Sequence, residues 1–288
     1  MSFDEHLHAH WRVWRHARHA ELTHPYGWSA PIAQHWLPDG SVDVTLPDLP
    51  GLWSALNGEV THTPDTVALS ANGPLDAATA QPLTVQGAAI TRPTVIESGR
   101  YLMSGHPEAQ LILSGEREVE TIVRRTPSGG NIYAVRVRDP RSAATAETLP
   151  ITSYEYDTAW RTPAHFEPHA ATEVVRETLA EGVIDIVRSI GTLSFTLGEG
   201  LAPHQLVVFG TPDRAFTHFR DATSGAETHG NGRMIELDIA DVAEPADIIV
   251  DWNYAYSMPC SLTPYVSCPV PIAENTLDVA VTAGERLR

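Results

Sequence analysis

The densest run of chemically capable side chains lies between His218 and Arg233, reading H-F-R-D-A-T-S-G-A-E-T-H-G-N-G-R. Arg220 and Arg233 offer two guanidinium forks, a geometry that matches a carboxylate or a phosphate. Asp221, Glu227 and His229 are candidate acids or bases, and Thr223 adds a hydroxyl for substrate binding. About twenty residues on, Asp251, Asn253 and Tyr256 follow the apolar run Ile248–Val250, as polar groups that would orient a substrate from the end of a strand. The competing reading of the same residues is a buried ion-pair lattice that pins a long loop and does no chemistry.

Cys260 and Cys268 are the only cysteines, and their spacing fits no zinc pattern. Buried apolar thiols are the first reading; a disulfide or redox pair, partial metal ligation, and a nucleophile served by His229 are the others. A further cluster is His6, His8, His10, His16 and His19 near the start. His6 and His10 stand at i,i+4, a spacing that lets two imidazoles share a metal, against a plain solvated helix face. No metal ligand set is assigned, because no triplet has diagnostic spacing, and no cofactor is named.

What is missing narrows the chemistry. All nineteen basic residues are Arg, and the chain of 288 residues has no Lys. Schiff-base lysines, a pyridoxal anchor and a Walker A lysine are therefore excluded. Neither HExxH, GxSxG, CxxC nor a full GxGxxG occurs. The net charge of -17 disfavours general binding to nucleic acid or to an anionic membrane. No apolar run approaches a membrane span, and residues 1–20 lack a signal-peptide core, so the expected compartment is the cytoplasm.

The elements that must position these groups are mostly strands. Residues 3–22 predict an amphipathic helix, with Leu7, Trp11, Trp14 and Leu22 on one stripe that docks on the body of the protein. From residue 41 short alternating segments follow between Pro and Gly turns, including Val42–Leu46, Thr66–Ser70, Leu83–Gln86, Thr94–Glu97 and Leu111–Leu113. Asn72-Gly73 marks one of the turns. Val119–Arg125 and Ile132–Arg138 flank T-P-S-G-G as a hairpin, on which Arg124, Arg125, Arg136 and Arg138 predict a solvated or anion-binding face. Beyond it come Glu173–Glu177, Val183–Arg188, Leu193–Leu197 and Leu206–Phe209, although residues 171–190 also admit a helix. Residues 219–229 look like a hairpin turning at Gly225, and Leu277–Val281 like a last strand that closes the sheet.

The C-terminal stretch resembles the family catalogued as domain of unknown function 1684. The residues that carry the likeness are Arg220–Thr228, Gly230, Gly232-Arg233, Val250–Tyr256, Pro259-Cys260, Thr263–Tyr265, Cys268-Pro269, Pro271, Asn275 and Ala283–Glu285. The opening around Trp14, Gly27-Trp28 and His35–Leu37 is similar to the family's start. His229 stands where the family usually has Tyr, Trp252 where it has Phe, and Ser257-Met258 in place of Asn-Pro. The resemblance implies a cytoplasmic β-rich protein and brings no reaction with it.

The sequence thus predicts a mainly β protein of two packed β segments, barrel- or sandwich-like, with an N-terminal amphipathic helix. Its divisions are a helix and docking segment over 1–37, a first β segment over 38–142 and a second over 143–288. The expected function is action on a small polar or anionic molecule through an Arg/Asp/Glu/His pocket, with hydrolysis among the candidate reactions. A non-catalytic β module that binds a small ligand or a protein, and a metal-binding protein, are the alternatives.

Overall fold

A computed structural model describes residues 3–64, 81–96, 112–198, 202–211 and 213–288. The strand expected over Thr66–Ser70, the Asn72-Gly73 turn, Glu97 and Leu111 lie outside the described residues. The protein is mainly β, with one N-terminal helix, several antiparallel sheets and no closed barrel among the described residues. It divides into two compact units, one of Met1–His19 with Leu149–Arg288 and one of Ala20–Thr148.

Helix α1 (Phe3–Thr23) belongs to the first of these units through His19. Asp4 and Glu5 fill its first turn, where carboxylates suit the helix dipole. The Trp spacing read from the sequence becomes the docking face. Trp11 is buried and donates its indole N–H to the Asn253 carbonyl at 2.9 Å, and Trp14 meets the edge of Tyr254 at 5.0 Å. Arg18 reaches Glu285 at 3.2 Å and the Ser257 carbonyl at 2.8 Å.

The unit of residues 20–148 holds β1 (Pro31–Pro38), β2 (Ser41–Thr45), β3 (Leu52–Leu56), β4 (Glu59–Thr63), β5 (Leu83–Val85), β6 (Ala88–Ala89), β7 (Thr94–Ile96), β8 (Ile112–Ser114), β9 (Arg117–Arg125) and β10 (Asn131–Arg138). One sheet runs β1-β10-β9-β8-β5-β6 and the other β2-β3-β4-β7. The hairpin read from the sequence is β9–β10, yet its arginines do not share one solvated face. Arg138 and Arg136 are buried, and each binds Glu120 Oε2, at 2.8 and 2.9 Å. Their partners come from β9, where Glu118 and Glu120 sit opposite them in register. Burial is the main reason that the Glu118 carboxyl is pushed up to about 6.

The other unit continues with β11 (Ile151–Ser153), β12 (Arg161–Glu177), β13 (Ile184–Phe195), β14 (His204–Thr211), β15 (Arg214–Phe219), β16 (Arg233–Leu237), β17 (Ala246–Asp251), β18 (Tyr256–Ser257) and β19 (Glu285–Leu287). Its main sheet runs β17-β12-β13-β14-β15-β16-β18, all antiparallel, and β11 pairs with β19. Residues 171–177 and 184–190 are strand, as their β-branched run demands. Two segments read as separate strands, 183–188 and 193–197, fuse into β13 through a register shift at Ser189–Gly191. Gly191 permits that shift, since a Cβ there would meet the Phe166 ring at 2.3 Å. The core beneath the sheet includes Phe166, Leu193, Phe219, Ile235, Trp252, Leu277 and Val281.

Two segments differ from the sequence expectation. Leu277–Val281 is not a strand: Leu277 and Val281 are buried in the core, while backbone bonds in this segment go to the Arg220–Arg233 loop. The segment 219–229 is not a short hairpin either. Strands β15 and β16 end their ladder at Phe219↔Arg233, and residues 220–232 form a long loop between them.

Candidate functional site

The 220–232 loop is knotted at one end by Thr223. Its carbonyl accepts the N–H groups of Ala226, Glu227 and Thr228 at 3.1, 2.9 and 3.0 Å, and Gly225 takes the positive φ that this tight turn needs. Asp221 accepts from the Thr223 N–H at 2.6 Å, from the Thr223 hydroxyl, and from Arg233 Nη2 at 2.5 Å. Arg233 is wholly buried and lies 5.6 Å above the Phe219 ring. Nη1 and Nη2 also donate to the carbonyls of Val281 at 2.8 Å, Glu285 at 3.1 Å and Ala283, while Nε is buried without a partner. Asp221, Thr223 and Arg233 therefore form one buried lattice that ties the loop to residues 281–285.

The other predicted residues fall in separate places. Glu227 is exposed, accepts from the Tyr154 hydroxyl at 3.1 Å and lies 3.8 Å from Arg286. Asp251 pairs with Arg161 at 3.3 Å and accepts from the Tyr156 hydroxyl at 3.2 Å. Asn253 is buried, giving its amide N–H to the Asp157 carbonyl and to Asp251, both at 2.8 Å. The Tyr256 hydroxyl donates to Glu236 at 3.3 Å, and burial pushes this phenol up to about 12. Asp251, Asn253 and Tyr256 thus fix local backbone and surface pairs rather than meeting the 220–232 loop.

Arg220 and His229 stand apart from the lattice. Arg220 is half-buried and donates Nε to the Gly230 carbonyl at 3.0 Å, which places its guanidinium beside the His229–Asn231 turn. Gly232 makes that turn possible, with φ +73° and no room for a Cβ, which would lie 2.1 Å from the Phe219 carbonyl. His229 Nδ1 lies 3.9 Å from Cys260 Sγ. The Asn231 N–H donates to the same nitrogen at 3.2 Å, so Nδ1 carries the lone pair of the neutral ring.

Asn231 completes the surroundings of the sulfur. Its amide donates to the Pro269 carbonyl at 2.8 Å and approaches Cys260 Sγ at 3.7 Å. The Pro269 carbonyl can only accept, which fixes the amide with its NH2 toward the sulfur. Hydrogen bonding from Cys268, followed by His229 and Asn231, draws the Cys260 thiol below its ordinary range in spite of burial. Its bond with Cys260 raises His229 in turn, against burial. Cys260 is half-buried on the turn Pro259–Ser261, and Cys268 is buried.

The approach of Asn231 to Cys260 was not legible from spacing, because 29 residues separate the two. The segment after Cys268 is stitched to the end of β12, with Leu179 N–H to the Cys268 carbonyl at 2.9 Å and Val270 N–H to Glu177 at 2.8 Å. Val270, Pro271 and Ile272 then line a groove of about 560 Å3 with Arg176, Ser189 and Val207. Behind the site, His218 donates Nε2 to the Asn231 carbonyl at 2.9 Å, and burial, then the charges of Arg176 and Arg220, hold it down at about 3. No group of three or more His, Cys, Asp or Glu is placed to hold a metal among the described residues. His6 and His10 bring their rings to 4.4 Å with no third ligand among those residues. No described helix is long and apolar enough to cross a membrane.

Residues 149–286 match the family described as a protein of unknown function (DUF1684). That segment belongs to this family. The matched segment contains the whole 220–232 loop, Cys260 and Cys268. Among solved structures, the solution NMR structure of an uncharacterized protein of Haloarcula marismortui is similar at 30% identity, over 47% of this chain and 75% of that one, with a TM-score of 0.40. No curated protein matches.

Proposed function

We propose that this protein acts on a small polar or anionic molecule through the thiolate of Cys260, with His229 as its base and Arg220 as the anion-binding group. The observation that carries the reading is the convergence of His229 Nδ1 and the Asn231 amide on one half-buried sulfur, at 3.9 and 3.7 Å. A thiol so placed gives its proton to His229, attacks an electrophilic carbon, and forms a covalent intermediate as the leaving group takes the proton. Water completes the cycle in the hydrolytic form of this chemistry. Arg220 commits only Nε to the loop in the bond to Gly230, which leaves its fork to meet a negative group. Asp221, Thr223 and Arg233 support this role from behind by fixing the loop that carries His229. A non-catalytic ligand-binding module is the second reading, favoured by the commitment of Asp221, Thr223, Arg233 and Asn253 to internal hydrogen bonds.

Alkylation with two probes of equal reach tests it. A free thiol reacts more slowly with iodoacetate than with iodoacetamide, because the first is an anion meeting a thiolate. Cys260 is expected to reverse that order, and Arg220→Gln to restore it, with peptide mapping to identify the modified sulfur. An unreversed order in the wild-type protein would overturn the reading.

A further inference from the structure

We infer that Ser189 and His169 form a second catalytic site, in which Ser189 is the nucleophile that cleaves a neutral ester with an apolar acyl chain. Ser189 Oγ lies 3.0 Å from His169 Nε2, and His169 Nδ1 lies 2.9 Å from the Ala170 carbonyl. A carbonyl can only accept, so Nδ1 holds the proton of the neutral ring and Nε2 presents its lone pair to the serine hydroxyl. Nucleophile, base and a third group that orients the base thus follow one another, the arrangement that activates a serine. A backbone carbonyl takes the place that a carboxylate fills in a Ser-His-Asp triad.

A bulge in the sheet makes the pair. The β12–β13 ladder shifts register between Pro168, opposite Gly191, and Thr172, opposite Ser189. His169, Ala170 and Ala171 are the residues of β12 taken up by the shift, and a bulge re-aims a side chain out of the regular alternation. Ser189 stands opposite Thr172 on β12 and Phe209 on β14, and directly opposed residues share a face. Alternation puts Val174 and Arg176 of β12 and Val207 of β14 on that same face. These side chains line the groove of about 560 Å3 together with Ser189, which is only 4% exposed.

The lining of the groove selects the substrate. Val174, Val207 and Ile272 pack on the buried Phe209, Phe216 and Met234 and give it an apolar wall. Arg176 is countered by Asp185, to which it gives Nε and Nη2 at 3.0 and 2.6 Å, while Glu177 and Glu274 also line the groove. That balance disfavours an anion and suits a neutral acyl ester. Ser189 Oγ attacks the ester carbonyl carbon as its proton passes to His169 Nε2. The C–O bond to the alcohol breaks, and the alcohol leaves with that proton. Water then gives a proton to His169 and adds to the acyl carbon, the bond to Ser189 Oγ breaks, and the serine recovers the proton from His169. One ester and one water become one carboxylic acid and one alcohol.

The test treats the full-length protein with diisopropyl fluorophosphate and places the adduct by intact mass and peptide mapping. Hydrolysis of p-nitrophenyl butyrate is followed in a Cys260→Ser background, so that the thiol contributes nothing. One diisopropylphosphoryl group is expected on Ser189, with ester hydrolysis lost in step with labelling. Ser189→Ala is expected to take up no group at this position and to lose the hydrolysis. His169→Gln keeps a hydrogen-bonding partner for the hydroxyl but cannot take its proton, and is expected to slow labelling of Ser189 by about 100-fold. A Ser189 that stays unlabelled in the wild-type protein, or that reacts as fast in His169→Gln, would overturn the inference. Mapping separates this serine from Cys260, so failure here and failure of the small-anion reading are distinguishable.

Discussion

Two parts of one loop make opposite use of polar side chains. At Asp221 and Arg233, short contacts join a buried ion pair to three carbonyls and a neighbouring hydroxyl. A few residues away, His229 and Asn231 approach Cys260 at 3.9 and 3.7 Å, on a sulfur that is only partly covered. The first arrangement is committed to the fold and is costly to disturb. The second leaves reactive capacity unspent. A run of Arg, Asp, Thr, Glu and His thus separates into a clamp and a site according to where each side chain finds its partners.

The comparison is broken most forcefully at Arg233. Arg233→Met leaves Asp221 buried without a counter-ion and is expected to destabilise the protein by about 3–5 kcal/mol, seen as a lower urea midpoint. Adding Asp221→Leu removes the orphaned charge, so the double variant is expected to recover part of the loss. Equal loss in the double variant would mean that the carbonyl contacts, not the ion pair, hold the loop.

The next effect is on pH dependence. His218 is held neutral down to about 3, and the charges facing it are Arg176 and Arg220. Below 6.5 the unfolded chain binds a proton that the folded chain refuses, so this contribution to stability is present above pH 6.5 and lost as pH falls toward 3. His218→Gln is expected to flatten the denaturation midpoint between pH 6.5 and 4.5 relative to wild type. An unchanged slope there would place the acid sensitivity elsewhere.

At Cys260 the expectation is the reverse of that for Arg233. Cys260→Ser is expected to abolish thiol modification at this position while changing stability by less than about 1 kcal/mol. Smallest of all is Tyr256→Phe, which removes an exposed bond to Glu236 and is expected to cost about 0.5 kcal/mol or less in thermal unfolding.

Much of the architecture could be read directly from the chain. Trp11 and Trp14 announced a docked helix, and β9–β10 was evident from alternation around a Gly-rich turn. Leu277–Val281 misled because alternation describes burial, and a guanidinium can satisfy carbonyls that a neighbouring strand would otherwise pair. Arg136 and Arg138 misled because their acidic partners lie across the ladder and not beside them in sequence. At the site, the residue types of the 220–232 loop were legible, and Cys260 with His229 was one reading among several. Their convergence depends on a chain return of about thirty residues, which no local pattern encodes.

The central claim is that the surroundings of Cys260 keep its sulfur reactive. The most direct measurement is the rate of Cys260 alkylation by iodoacetamide against pH, in wild type and in His229→Gln. The account predicts a wild-type midpoint clearly below the ordinary thiol value of 9.0 and an upward move in the variant. A midpoint at or above 9.0 in both proteins would contradict it and leave Cys260 a buried structural thiol.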